Sequence, residues 1–274
     1  MTSIQAVDPA VTARVYAAFA CRGWFVEGNP AAFLRGLRRA VVYYEEVGDL
    51  HNACDQQGNA GFAELELGLY REAEATLRTA LATAEDMKLD TLVDVFRHNL
   101  SLALAYQSKL DEARSLALRS AESNEQRVAA SARISLATIS LLGDQYAQAE
   151  KQARTAVTLS PERSLVEVTA RGTLARVLLA LEQPTEALEQ ASRAIGLMTE
   201  LGTSDGSEAA IYLVWAEALH ETGDRDKART AISVARDRLL QRADKIGDVN
   251  WRTSFLEQIP DHARTLVLFH SWAQ

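Results

Sequence analysis

Arg97, Arg133 and Arg171 stand in one column of this 274-residue chain, with Gln57 before them and Tyr212 after. A guanidinium presents a planar fork of donors that matches a carboxylate or a phosphate. Three of them stacked along a helical array would make a ladder for acidic side chains or a phosphorylated partner. Asn59, His98, Asn99 and Arg176 form a second set. Their amide, imidazole and guanidinium groups suit the polar atoms of a bound peptide or protein. Material for catalysis is poorer. The histidines His51, His98, His220, His262 and His270 occur singly, without HExxH or the paired spacing of a metal site. There is no glycine-rich phosphate loop ending in Lys and Ser or Thr, no "HRD" and no "DFG". Cys21 and Cys54 have no base partner by spacing and make neither a metal site nor a disulfide framework. The expectation is a binding protein that is not an enzyme and uses no cofactor or metal.

A self-alignment shows the elements that would position these residues. The triplet Ala73, Leu77, Ala80 recurs as Ala113, Ala117, Ser120, as Ala149, Ala153, Ala156, as Ala187, Ala191, Ala194 and as Ala228, Ile232, Ala235. Phe33, Leu37, Ala40 is a degenerate first copy, and successive starts fall 36 to 41 residues apart. A second column of small residues precedes each start: Cys21, Gly61, Ser101, Ala137, Ala175 and Ala216. Steps of four and seven place residues on one face of a helix. Short turns separate the two columns: "EGNP", "LGLY", "QSKL", "LGDQ", "EQPT" and "TGDR". Each copy is therefore expected to be two antiparallel helices packed through small side chains. Asn29 before Pro30 reads as an N-cap, and Gly68, Gly143 and Gly223 suit a left-handed helix end. One pair cannot bury its apolar face alone, so six pairs should stack into a right-handed all-α solenoid. Only 14 glycines and 5 prolines interrupt a chain rich in Ala, Leu, Glu and Arg, which agrees with helix throughout.

On this arrangement the arginine column turns towards the packed face, where the stems bury and the heads pair with glutamates of neighbouring helices. A groove would be lined by first-helix residues such as Asp55, Gly58, Val95, His98, Ile134, Thr138, Thr169, Gly172 and Arg176. Its positions change from copy to copy (Gly58, His98, Ile134, Gly172, Leu213), as recognition of one irregular partner would require.

The small residue of the first helix, the Gly68–Tyr70 turn and the alanines of the second helix resemble the tetratricopeptide repeat. The period here exceeds that family's roughly 34 residues, and the early tryptophan of its first helix is absent. The resemblance implies a concave peptide-binding groove. Asn59 and Asn99 match places where some members hold a carboxylate, while Gly58 and His98 stand where the lysine of that clamp would be. The stretches "GDLHNACDQQGNAGFAELELGLYREAEATLRTAL", "RHNLSLALA" and "ARDRLLQRADKIGDVNWRTSFLEQIPDHARTL" are similar to the C-terminal repeat region of multidomain bacterial, myxobacterial-type serine/threonine protein kinases. That likeness runs from about residue 28 to 266 and implies a non-catalytic regulatory arm, with a kinase or ATPase domain as partner in cis or in trans.

The expected organisation is a single domain over 1–274, with repeats at about 9–48, 49–88, 91–123, 126–160, 163–200 and 207–246 and a helical cap at 248–273. Residues 1–7 are expected to fray. Trp251, Phe255 and Leu256, with Leu266, Leu268, Phe269 and Trp272, would close the last repeat or serve as a docking surface. A net charge of −8 argues against nucleic acid or an anionic bilayer as partner. No apolar run reaches the length of about 18 residues that would span a membrane, and the chain start has no basic flank or apolar core of a secretory signal. Two cysteines without a framework fit the cytoplasm. The function expected is a protein-interaction scaffold or regulatory arm binding a peptide or protein in its groove. The alternative is a sensor of a small ligand or peptide that modulates an associated kinase or ATPase.

Overall fold

The computed structural model describes residues 8–202 and 208–272; Ser207 and Ala273, at the expected edges of the sixth repeat and the cap, and the expected frayed segment 1–7 lie outside them. The described residues hold fourteen α-helices and no strand. They form seven antiparallel pairs: α1 (Pro9–Phe25) with α2 (Pro30–Glu46), α3 (Leu50–Glu66) with α4 (Tyr70–Asp86), and α5 (Asp90–Ala105) with α6 (Leu110–Ser120). There follow α7 (Gln126–Leu142) with α8 (Tyr146–Leu159), α9 (Leu165–Ala180) with α10 (Pro184–Leu201), α11 (Glu208–Glu221) with α12 (Arg225–Ala243), and α13 (Val249–Glu257) with α14 (Pro260–Trp272). The fold is an all-α solenoid of tetratricopeptide type.

Local chemistry starts and stops these helices. Asp8, Asn29, Asp49, Ser164, Asp224 and Asp248 each accept a hydrogen bond from a first-turn amide, satisfying a donor that the helix leaves unpaired. The ends need a residue at positive φ so that the last carbonyls can be met from the turn. Gly68 (φ 73°) and Gly223 (φ 92°) supply it, as their positions suggested. Gly143 does not: it stays at φ −100° and Asp144 takes the left-handed conformation at φ 55°. Short polar side chains such as Asp tolerate that region, so the turn moved one residue on.

The alanine triplets are the core. All the triplet members from Ala73 to Ala235 are at most 1% exposed. A Cβ added to Gly61 would lie 2.5 Å from the Cγ of Leu77, which shows how closely α3 and α4 approach. In the first copy the register differs by one residue. Cys21, expected in the small packed column, is exposed, and Ala20 is the buried contact, 2.9 Å from where a Cβ on Gly36 would stand. The end of α1 is held by Trp24, which packs on Phe33 of α2 and Phe62 of α3 with ring centres 5.1 and 5.4 Å away.

The chain ends by folding back. The α14 helix packs on α11 and α12, burying Leu268 among Leu213, Leu219 and Ile232. The expectation of a simple end cap stops short of what α13 does. Phe255, fully buried, joins Trp24, Phe33, Leu34 and Leu37 of the first pair and Ala63 and Leu67 of the second. The turn between α1 and α2 meets the segment after α12: Asn29 Nδ2 donates to the Lys245 carbonyl at 3.1 Å, and Lys245 Nζ donates to the Glu27 carbonyl at 2.6 Å. The first and last repeats thus touch through the C-terminal hairpin.

Candidate functional site

First helices of successive repeats pack closely on one another (α3 with α5, α5 with α7, α7 with α9, α9 with α11), whereas second helices reach one another through long side chains, as in Arg78–Glu112 and Arg154–Glu186, both at 2.8 Å. The first helices are therefore the inside of the curve. Half-buried side chains line it, among them Asp55, Asn59, Val95, Ile134, Thr138 and Thr169. Burial raises the Asp55 carboxyl above the usual range, against the hydrogen bond from Gln56 at 2.8 Å and the neighbouring His51 and Asn59.

Several positions assigned to the groove belong to the joints between repeats instead. A Cβ on Gly58 would fall 1.8 Å from the Phe96 ring, and one on Gly172 would fall 2.3 Å from Ile211 Cδ1. Each glycine is the socket for a large side chain one repeat further on. Leu213 is 2% exposed, and His98 Nδ1 is hydrogen-bonded to Ser135 Oγ at 2.7 Å, between α5 and α7. Loss of solvation, with the charge of Arg127, holds His98 down to about 4. Asn99 is buried. At Gly58, His98, Gly172 and Leu213 the variation along this column follows the fit between neighbouring elements, while Ile134 stays half-buried on the first-helix face.

The arginine column also works within the scaffold. Arg97 pairs with Glu85 of α4 at 2.8 Å, Arg133 Nη1 donates to Gln152 of α8 at 2.9 Å, and Arg171 donates to Gln190 of α10 at 2.8 Å and to its own helix's Glu167. Of the candidate residues, Asn59 and Arg176 are left on the inner face, and Arg176 is engaged. Its Nη2 meets Asp261 Oδ2 of α14 at 2.7 Å, with both side chains about a quarter to a third exposed.

The hairpin covers one end of the inner face through charge and aromatic contacts. Arg264 Nε pairs with Glu217 at 2.9 Å, and Trp272 stacks on His220 with ring centres 4.5 Å apart. Tyr70 and Tyr106 stack at 4.8 Å, and Tyr70 Oη reaches the Gln258 carbonyl at 3.4 Å. Burial, then the nearby Asp261, pushes the Tyr106 hydroxyl up to about 12. His262 Nδ1 meets the Phe255 carbonyl at 2.7 Å, and burial holds it at about 4. A cleft of about 760 Å³ runs beside this contact, lined by Tyr70, Tyr106, Gln107, Ser254 and Gln258. Sequence reasoning missed Tyr106, Asp261 and Gln258, because nothing local ties Tyr106 to Tyr70 in the preceding repeat or Asp261 and Gln258 to partners more than eighty residues away. Among the described residues, none of the hairpin's hydrogen bonds, ion pairs or ring contacts reaches Asp55, Asn59, Val95, Ile134, Thr138 or Thr169.

Among the described residues, no group of three His, Cys, Asp or Glu is placed to hold a metal ion. One G-x-S-x-G string, Gly202 to Gly206, joins α10 to α11, and its inner residues lie outside those described. A nucleophile elbow requires a strand running into a helix, whereas this string joins two helices.

No family model matches the chain, and no curated protein matches it. Solved structures do match in shape. A Rap protein complexed with competence and sporulation factor superposes with a TM-score of 0.67 at 14% identity, over 96% of this chain and 77% of that one. The apo form of the quorum sensor NprR from B. thuringiensis gives 0.57 at 16% identity, over 89% and 71%. The apo form of RapI gives 0.53 at 14%, over 97% and 82%. The likeness is one of fold. No described helix is long and apolar enough to cross a membrane.

Proposed function

We propose that this chain is a non-catalytic interaction scaffold that takes a peptide or protein partner along its concave face. The observation that carries the reading is the hairpin itself. A helix of the same chain already docks on one end of the inner face, through Arg176–Asp261, Glu217–Arg264 and His220–Trp272. A surface that accepts one amphipathic segment this way has the chemistry for helix-in-groove recognition. The uncovered end, with Asp55, Asn59, Ile134, Thr138 and Thr169, is where a partner would enter; Asn59 is the candidate contact there, and Arg176 becomes one where a partner displaces Asp261. The fold neighbours support the sensor form of this reading, since one is a complex with competence and sporulation factor and another is a quorum sensor. The finer assignment, a regulatory arm acting on a serine/threonine kinase or ATPase of a bacterial signalling system, rests on the sequence resemblance.

The test is affinity capture from the source cell with the native chain and with a Thr138→Arg/Thr169→Arg variant. Both threonines are half-buried first-helix residues whose hydroxyls bond only carbonyls of their own helices, so arginine there adds bulk and charge to that face. The variant should keep its thermal midpoint and lose partners that the native chain retains. Identical captured sets would place the interface elsewhere. For the regulatory reading, adding the chain to a co-encoded serine/threonine kinase should change its phosphorylation rate; no change would remove the kinase from the proposal.

A further inference from the structure

Among the described residues, no helix lies on the outer side of α1 as the C-terminal hairpin lies on α11 and α12. Along the outer side of α1, Val11, Val15 and Phe19 follow one another at steps of four and are 40%, 44% and 57% exposed. Val42 of α2 adds another exposed apolar side chain, at 55%. Between the two helices lies a groove of about 480 Å³, whose walls include Tyr16, Phe19, Arg35 and Arg39. Its floor is narrow because Gly36 lets α2 approach the backbone of Ala20. Charge is concentrated here as well. From Asp8 to Glu46 the sequence has Arg14, Arg22, Arg35, Arg38 and Arg39 against Asp8, Glu27, Glu45 and Glu46, and the groove itself is walled by Arg22, Arg35 and Arg39 against Glu27 alone, in a chain of net charge −8. Arg22 pairs with Glu27 and Arg38 with Glu64, whereas Arg14, Arg35 and Arg39 have no ion pair among the described residues.

We propose that this face docks an acidic amphipathic helix of a partner protein, its apolar stripe on Val15 and Phe19 and its carboxylates on Arg35 and Arg39. An apolar floor rimmed by unpaired guanidinium groups is complementary to such a helix in both shape and sign. A second copy of this chain docking by a two-fold axis would set the same arginines against one another, which is repulsive. A flat bilayer cannot enter a groove between two helices, and the net charge of −8 repels an anionic one. The face is separate from the concave trough, so the proposal stands whether or not that trough binds a partner.

The test uses the full chain and a fluorescein-labelled synthetic helix of about five turns, with leucines at helical spacing flanked by glutamates. Its twin carries lysine for every glutamate. Anisotropy should show the glutamate peptide binding, and rising salt should weaken it. Arg35→Glu/Arg39→Glu and Val15→Ser/Phe19→Ser should each weaken binding about tenfold or more with the thermal midpoint kept. Equal binding of the lysine twin, no binding of the glutamate peptide up to about 1 mM, or indifference to both double variants would overturn the proposal. Three further results would also overturn it by naming another occupant. These are concentration-dependent dimerisation abolished by the same variants, co-sedimentation with phosphatidylcholine vesicles containing about a quarter phosphatidylserine, and peptide binding that appears only after residues 1–7 are deleted.

Discussion

The two ends of this solenoid face the same physical problem and meet it differently. A stack of helix pairs leaves an apolar face unmatched at each end. At the C-terminal end, α13 and α14 cover that face and continue across to the first repeats, so that Phe255 is fully buried. At the N-terminal end Phe19 stands 57% exposed with arginines around it. Two phenylalanines near opposite ends thus have opposite roles. One holds the scaffold together, and the other is available to something outside it.

The largest expected effect breaks the covered end. Phe255→Ala should cost roughly 3–5 kcal/mol, the usual range for emptying a buried phenylalanine site. Deleting residues 248–274 should go further, exposing Leu213, Leu219 and Trp24 together and producing aggregation. Urea unfolding checks the first and size-exclusion chromatography the second. A soluble, equally stable truncation would show that the hairpin is an appendage rather than part of the core.

A pH titration probes the covered end without mutation. His262 and His98 are both held at about 4 in the folded chain, chiefly by burial, against an ordinary value of 6.5. Folded pKa values below unfolded ones mean that the unfolded chain binds more protons over this interval, so stability falls as pH drops from about 6.5 towards 4. By about pH 5 the loss should be of the order of 2 kcal/mol for each histidine. His262 belongs to the hairpin and His98 to a middle joint, so acid should loosen the C-terminal end, the α1–α2 pair on which Phe255 packs, and the centre, while leaving α10, which has no histidine and packs on α9 and α11, least affected. Amide hydrogen exchange at pH 5 against pH 7 measures this directly. Uniform loss of protection would refute the difference between the regions.

What was readable in the sequence follows the same division. Close approach of helices leaves a local record, because only small residues fit, and the triplets from Ala73 to Ala235 are buried as their spacing implied. Gly58 and Gly172 recorded close approach too, but their partners Phe96 and Ile211 sit a repeat away, and a lone glycine does not say which side chain it admits. The fold-back of α13 left no periodic trace, since Phe255 and Trp24 are more than two hundred residues apart and meet once. The expected binding residues divide likewise. Arg97 pairs with a glutamate of a neighbouring helix, as the wheel position had indicated, whereas Arg133 and Arg171 reach glutamines of their own repeats instead, and the partner of Arg176 in α14 had no sequence signal. Gly58→Ala tests the joint reading: the added methyl collides with Phe96 and should cost about 1–3 kcal/mol. A neutral result would return Gly58 to the groove.

The smallest expected effect is at the open end. Phe19→Ala removes a large aromatic side chain, yet most of that ring is already in water and few neighbours lose contacts. The energy of a core substitution comes from lost burial and from the cavity left behind, and at Phe19 both are small. Its cost should stay within about 0.5 kcal/mol, the range of surface substitutions. The same substitution at Phe255 is expected to cost several times more, so the pair measures the difference between the ends with side-chain chemistry held constant. A loss at Phe19 approaching that at Phe255 would mean that the exposed stripe is covered in solution, by the chain's own first residues or by a second copy. Repeating the Phe19→Ala measurement over a range of protein concentrations distinguishes these, because only a second copy makes the loss depend on concentration.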